Sequence, residues 1–188
     1  MQDFGMYENI RQHSMMVARV ADALHRGLER TRKGDLLPPH NAVVAGALLH
    51  DIAKARCLEE NCKHAEVGEA ICQELGYPEV AEMVGNHVIL ARYSSDLYTE
   101  GIFGAVELVY YADKRVKHDK IVTLEERLEY ILDKYSQSDT VRESMIRKNF
   151  KKCQDLENYL FACLDFDPDE LALQINAHLF LQPIHSHA

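Results

Sequence analysis

At helical periodicity the stretch from Asn41 through Ala53 is apolar all round, which a surface helix cannot be. The helix it predicts therefore belongs inside, and it carries His50 and Asp51 near its C-terminal end. Other segments show the one-sided pattern of helices that cover a core. From Ile10 to about Leu28 the stripe is Met16, Val17, Val20, Ala21 and Leu24, and His13 extends it by one turn. Residues 35–39, with paired prolines, form a loop. His64, Val67, Gly68, Ile71, Cys72 and Leu75 repeat the helical spacing up to a stop at Gly76. Pro78 opens the next helix, whose stripe reads Val80, Ala81, Val84, His87, Val88 and Ala91.

A loop from Ser94 to Gly101 leads to a helix with Val106, Val109, Tyr110, Asp113 and Val116 on one face. Three more helices are expected, over about Thr123–Tyr135 with Thr123 and Glu126 as a capping box, Thr140–Leu164 and Pro168–Phe180. No strand-like alternation of useful length occurs, nor any repeat. The expected fold is all-α, an irregular helical bundle. A chain of 188 residues is the size of one domain, so residues 1–188 are read as one.

The formal net charge of -9, spread along the chain, opposes general binding to nucleic acid or to anionic membranes. No apolar run approaches the roughly 20 residues of a membrane span. The N-terminal segment lacks the basic-then-apolar build of a signal peptide, so a cytoplasmic location is expected. Five cysteines, Cys57, Cys62, Cys72, Cys153 and Cys163, are an odd number in a chain large enough to fold without staples. They read as reduced thiols; the sharper alternative is a zinc site from Cys57, Cys62 and His64.

His13, His50, Asp51, His64, His87 and Asp113 fall on or beside inward stripes of five helices. Burying such groups costs several kcal/mol unless each is paired or coordinated, and a metal ion at their convergence would remove that cost. A single histidine on an apolar face is commonly a hydrogen-bonded core residue. Asp113 in a stripe of valines, and the adjacent pair His50-Asp51, are harder to accommodate that way.

The order of His13, then His50-Asp51 within GALLHDIAK, then Tyr111-Ala-Asp113-Lys resembles the HD superfamily of metal-dependent phosphohydrolases. The run from His64 to His87 is similar to the corresponding stretch of many bacterial members, and the resemblance spans about residues 10–120. It implies one metal on His13, His50, Asp51 and Asp113. It also implies a second on His64 and His87, with Asp51 bridging. Val88 stands after His87 where several subfamilies, cyclic dinucleotide phosphodiesterases among them, carry another histidine.

Imidazole with carboxylate suits iron, manganese, zinc, cobalt or nickel better than magnesium or calcium. Such an ion lowers the pKa of its water from near 16 towards about 7 and neutralises phosphoryl charge, which makes Asp51 a catalytic residue as well as a ligand. Lys54, one turn after His50, is placed to reach a phosphate oxygen, or else is a solvated lysine. The cluster 114–120, with Lys114, Arg115 and Lys117, reads as a phosphate clamp or as a solvated loop. By family analogy the substrate is a small phosphate compound, a nucleotide foremost. The alternatives are a di-iron oxygenase on the same ligands and a regulatory domain that binds metal or nucleotide without turnover.

Overall fold

The computed structural model describes residues 1–31 and 36–175. Part of the loop 35–39, the end of the predicted helix 168–180 and the tail with His185 and His187 lie outside the described residues. Among the described residues are nine α-helices: α1 (Glu8–Thr31), α2 (His40–Leu49), α3 (Lys54–Glu60), α4 (His64–Glu74), α5 (Pro78–Asn86), α6 (Ser95–Thr99), α7 (Ala105–Lys114), α8 (Leu124–Tyr135) and α9 (Thr140–Phe161). Short 3-10 turns cover Gln2–Phe4 and Pro168–Gln174. The fold is all-α, as the periodicity predicts. No helix among the described residues is long and apolar enough to cross a membrane.

α1 packs on α2 and α7, and α5 packs on α2, α4 and α7, so the apolar stripes meet around α2. Val43 and Ala47 are fully buried there, while Val44, Ala45, Leu48 and Leu49 are only half-buried under partial cover. Val17, Val20, Ala21 and Leu24 of α1 and Leu108, Val109 and Ala112 of α7 complete the core. α9 lies over α6, α7 and α8 and adds Cys153, Leu156 and Leu160.

The helix ends follow local chemistry. Gly76, at φ +82°, stops α4, and Pro78 at the first turn starts α5. The capping box of α8 forms: Thr123 Oγ1 accepts from the Glu126 amide at 3.1 Å, and Glu126 Oε2 accepts from the Thr123 amide at 2.9 Å.

Two helices are shorter than their sequence patterns predict, and for the same reason. α2 stops at Leu49 because His50 folds its ring back and donates Nδ1–H to the Ala47 carbonyl. α5 stops at Asn86 because His87 does the same to the Val84 carbonyl. Each imidazole takes a carbonyl that the next helical turn would have used. Beyond α5, side chains from other helices satisfy the chain: Lys114 donates to the His87 carbonyl, Asn149 to that of Val88 and Lys152 to that of Leu90. Val88 and Ile89 are consequently exposed, not part of a stripe.

Further departures concern the loops. Ser94–Gly101 contains α6, capped by the Ser94 hydroxyl. The cluster after Asp113 is a two-residue antiparallel hairpin, β1 (Val116–Lys117) with β2 (Lys120–Ile121), in the register Val116 with Ile121. The reading of five reduced thiols is corrected for one pair: Cys57 and Cys62 form a disulfide, which also removes the zinc alternative. Asn61, left-handed at φ +53°, ends α3 and turns the chain back so that Cys62 reaches Cys57 across a Cα separation of 4.6 Å. Cys72 and Cys153 are buried free thiols, and burial pushes Cys153 up to about 12.

α4 sits close to the chain beneath it because Gly68 has no side chain. A Cβ there would stand 2.7 Å from Val84 Cγ1 and 3.2 Å from Ile52 Cγ2, both in the core. Gly68→Ala is therefore expected to destabilise the fold by about 1–3 kcal/mol, seen as a lower urea midpoint with unchanged slope. An unchanged midpoint would show that α4 has slack.

Candidate metal centre

Six side chains from separate parts of the chain meet at one buried point. His13 projects from α1, His50 and Asp51 from the end of α2, His64 from the first residue of α4, His87 from the end of α5 and Asp113 from the last turn of α7. Asp51 lies at the middle, 1% exposed. Its Oδ2 is 3.4 Å from His50 Nε2 and 4.0 Å from His13 Nε2. Its Oδ1 is 3.3 Å from His64 Nε2 and 3.5 Å from His87 Nε2. Asp113 Oδ1 closes the first group at 3.0 Å from His13 Nε2 and 3.7 Å from His50 Nε2. The two carboxylate oxygens of Asp51 thus face two different pairs of imidazoles.

The proton positions can be deduced. Carbonyl oxygens only accept, so the contacts of His13 Nδ1 with the His118 carbonyl (2.8 Å), His50 Nδ1 with Ala47 (2.7 Å) and His87 Nδ1 with Val84 (2.7 Å) place a proton on each Nδ1. In the neutral ring Nε2 is then a bare acceptor, and all three point at carboxylate oxygens that are also acceptors. Such a set repels itself unless a cation stands between its members. Two atoms at the centre are buried without any hydrogen-bond partner, His50 Nε2 and Asp51 Oδ1. Buried polar atoms are rarely left in that state.

The spacing fits an ion. With bonds of about 2.1 Å, two ligands at a right or tetrahedral angle stand about 3.0–3.4 Å apart, close to the separations here. The ligand atoms gather in two groups, each with all its members within 4.8 Å of one another: His13 with His50 and Asp113, and His50 with Asp51 and His87. His64 Nε2 stands 3.3 Å from both His87 Nε2 and Asp51 Oδ1, which brings it into the second group. The hydrogen-bonded Nδ1 positions hold the rings in orientation, as outer partners of metal-bound histidines do.

Electrostatics favour ionised carboxylates. Burial alone would raise the Asp51 carboxyl, but the Lys54 ammonium beside it outweighs burial and holds the group well below its usual range. Asp113 is likewise held far down against burial by the cations Lys114 and Arg127. Burial lowers His87 to about 4, so it is a neutral, available ligand.

The chain belongs to the HD domain family. Its family model matches residues 10–137, which include all six side chains. No curated protein and no solved structure matches the chain. HD domain proteins are generally metal-dependent hydrolases, and the His and Asp clusters here are of the type that binds divalent metal. The match reaches past the resemblance seen in sequence and takes in α8.

The cations are not arranged as the sequence suggests. Lys54 is where expected, half-exposed, with Nζ 2.6 Å from Asp51 Oδ2. Lys114 instead turns inward, 4% exposed, onto Asp113 Oδ2 at 2.7 Å and the His87 carbonyl at 2.9 Å. Arg115 is also buried, donating to the Val122 and Pro168 carbonyls, Tyr111 and Glu157. Neither residue therefore lines an open clamp. Lys117 remains half-exposed, with Nζ 5.0 Å from the Tyr130 ring centre.

α8 supplies what the sequence reading missed. A cleft of about 120 Å³ opens onto His13, Asp51 and Lys54, and its other wall is Arg127, Tyr130, Lys134 and Tyr135. Positions 127, 130 and 134 share one helical face by their i, i+3, i+7 spacing, which was the available signal. Arg127 Nη2 lies 3.4 Å from Asp113 Oδ1, and its Nε is buried without a partner. The larger cavity, of about 310 Å³ around Pro38, Glu79, Met83 and Glu107, lies away from these ligands.

Proposed function

We propose that the protein is a metal-dependent phosphohydrolase acting on a small phosphate compound, a nucleotide foremost, at the cleft beside Asp51. The observation that carries this reading is the ring of bare Nε2 acceptors around two ionised carboxylates, open on one side to a cleft edged with cations.

His13, His50, Asp51 and Asp113 would hold one ion, and His64 and His87 with the other oxygen of Asp51 a second, of iron, manganese, zinc, cobalt or nickel. Bound metal supplies a water of lowered pKa and neutralises charge on the phosphoryl oxygens. The protein's own groups do the rest. The Nδ1 contacts to backbone carbonyls keep the rings from turning away. Lys54 uses one of its three N–H donors on Asp51 Oδ2, which leaves donors for a phosphate oxygen in the cleft. Arg127 adds its guanidinium to the lining of the same cleft. Such charge-assisted donors orient an anionic substrate and stabilise the charge that builds on it. The chain's net charge of -9 supports a small substrate over nucleic acid or a membrane surface.

An oxygen-activating di-iron centre would use the same ligands, but a cation-edged cleft serves a phosphate better than an uncharged substrate. Elemental analysis of the purified protein, then a phosphate-release screen over nucleotides with each metal, tests the proposal. The expected result is one or two ions per chain and release from a subset of nucleotides. Oxygen consumption without phosphate release, or nucleotide held with metal and never turned over, would overturn it.

A further inference from the structure

The Tyr130 ring is a gathering point for positive charge. Lys117 Nζ lies 5.0 Å from its centre, the Arg127 guanidinium 5.5 Å and Lys134 Nζ 5.6 Å. Lys134 also donates to the Tyr130 hydroxyl at 3.3 Å. Among the described residues Lys117 and Lys134 make no ion pair with a carboxylate, although acidic residues outnumber basic ones in the chain. Of the other surface lysines, Lys63 pairs with Glu66 and Lys151 with Asp155, whereas Lys120 and Lys148, like these two, make no carboxylate pair among the described residues but stand at no common ring. Unpaired like charges brought to one ring repel each other, and an anion between them removes that repulsion.

The cluster is continuous with the candidate metal centre, because Asp51, Lys54, Arg127, Tyr130 and Lys134 line one cleft. A phosphate seated against the metal ligands would engage Lys54 and Arg127 and leave Lys117 and Lys134 to a second anionic group further out. We propose that Lys117 and Lys134, held over Tyr130, bind the second phosphate of a substrate with two or more linked phosphates, and so select such compounds over monophosphates. This rests on the phosphohydrolase reading above, since that reading places the first phosphate.

The test is binding of two probes to the metal-loaded protein by calorimetry. Orthophosphate fills only the first position; imidodiphosphate, whose P–N–P bridge resists hydrolysis, spans both. The wild type should bind imidodiphosphate about tenfold or more tightly than orthophosphate, since each charge-assisted contact contributes about 1.5 kcal/mol or more. Lys117→Met with Lys134→Met should bring that ratio to about twofold or less with orthophosphate binding intact, the methionines retaining the apolar stems against Tyr130. Lys151→Met, at an exposed position of α9 that does not line the cleft, controls for loss of charge and should keep the ratio. A double variant that retains the preference, or loses both probes together, overturns the proposal. Because binding is read without turnover, failure of hydrolysis would appear separately, as absence of phosphate release from a protein that still prefers imidodiphosphate.

Discussion

Asp51→Ala is expected to reduce bound metal to background and phosphate release by about a thousandfold or more, while the helical circular dichroism spectrum stays as it was. The Asp51 carboxylate faces both sets of imidazoles, with Oδ2 towards His13 and His50 and Oδ1 towards His64 and His87. Its loss leaves the two groups without a common anion. The fold tolerates the change because Asp51 is itself costly to bury, and because its partner Lys54 is half-exposed and can return to solvent. Asp113→Ala should abolish metal and turnover equally but behave differently in stability. It strands Lys114, which is 4% exposed, and removes the anion beside Arg127. A further loss of about 3 kcal/mol follows from an uncompensated buried charge. Metal analysis with urea unfolding of both variants separates the effects. Retained activity in Asp51→Ala would sink the mechanism.

How far the sequence foretold this centre differs from residue to residue. Convergence of His13, His50, Asp51, His64, His87 and Asp113 was legible because each lies on or beside an apolar stripe, and periodicity alone carries that information. The ends of α2 and α5 were not legible. His50 and His87 continue the hydrophobic pattern of their helices while their Nδ1 atoms terminate them, and no pattern of apolar residues records a side chain taking a carbonyl. The disulfide was missed since five cysteines in a chain of this size suggest thiols, whereas the left-handed turn at Asn61 decides the pairing. Charge was misleading for 114–120. A basic run signals solvent or ligand, yet here its first two members face partners contributed from Asp113, Glu157 and distant carbonyls. Two of the cations that do edge the cleft, Arg127 and Lys134, stand two turns apart on α8, among acidic residues that hide them in any count of composition.

Arg115 gives the second large effect, and it separates the two meanings of that basic run. Its guanidinium donates to the Val122 carbonyl at 2.8 Å, the Pro168 carbonyl at 2.9 Å, the Tyr111 hydroxyl at 2.5 Å and Glu157 at 3.1 Å. These contacts tie the end of α7 to the hairpin exit, to α9 and to the turn at Pro168. Burial holds the Tyr111 phenol protonated, so its hydroxyl donates to Glu157 while accepting from Arg115. Arg115→Met keeps the length of the side chain but leaves the Val122 and Pro168 carbonyls without this donor and Glu157 with the Tyr111 hydroxyl in place of two donors. Glu157, about a fifth exposed, can recover in part by rehydration. The expected cost is about 3–5 kcal/mol, a large fraction of the 5–15 kcal/mol typical of a domain. Thermal unfolding should move down by about 10 °C or more. Arg115→Lys should recover only part of this, since one ammonium cannot serve four acceptors spread around a planar fork. At low temperature, where Arg115→Met is folded, metal content and substrate affinity should match the wild type, because Arg115 touches neither the six ligands nor the cleft. A phosphate clamp predicts the opposite pattern, weakened substrate binding with stability unchanged. Denaturation and binding measured on one preparation of the variant decide between a strut and a clamp.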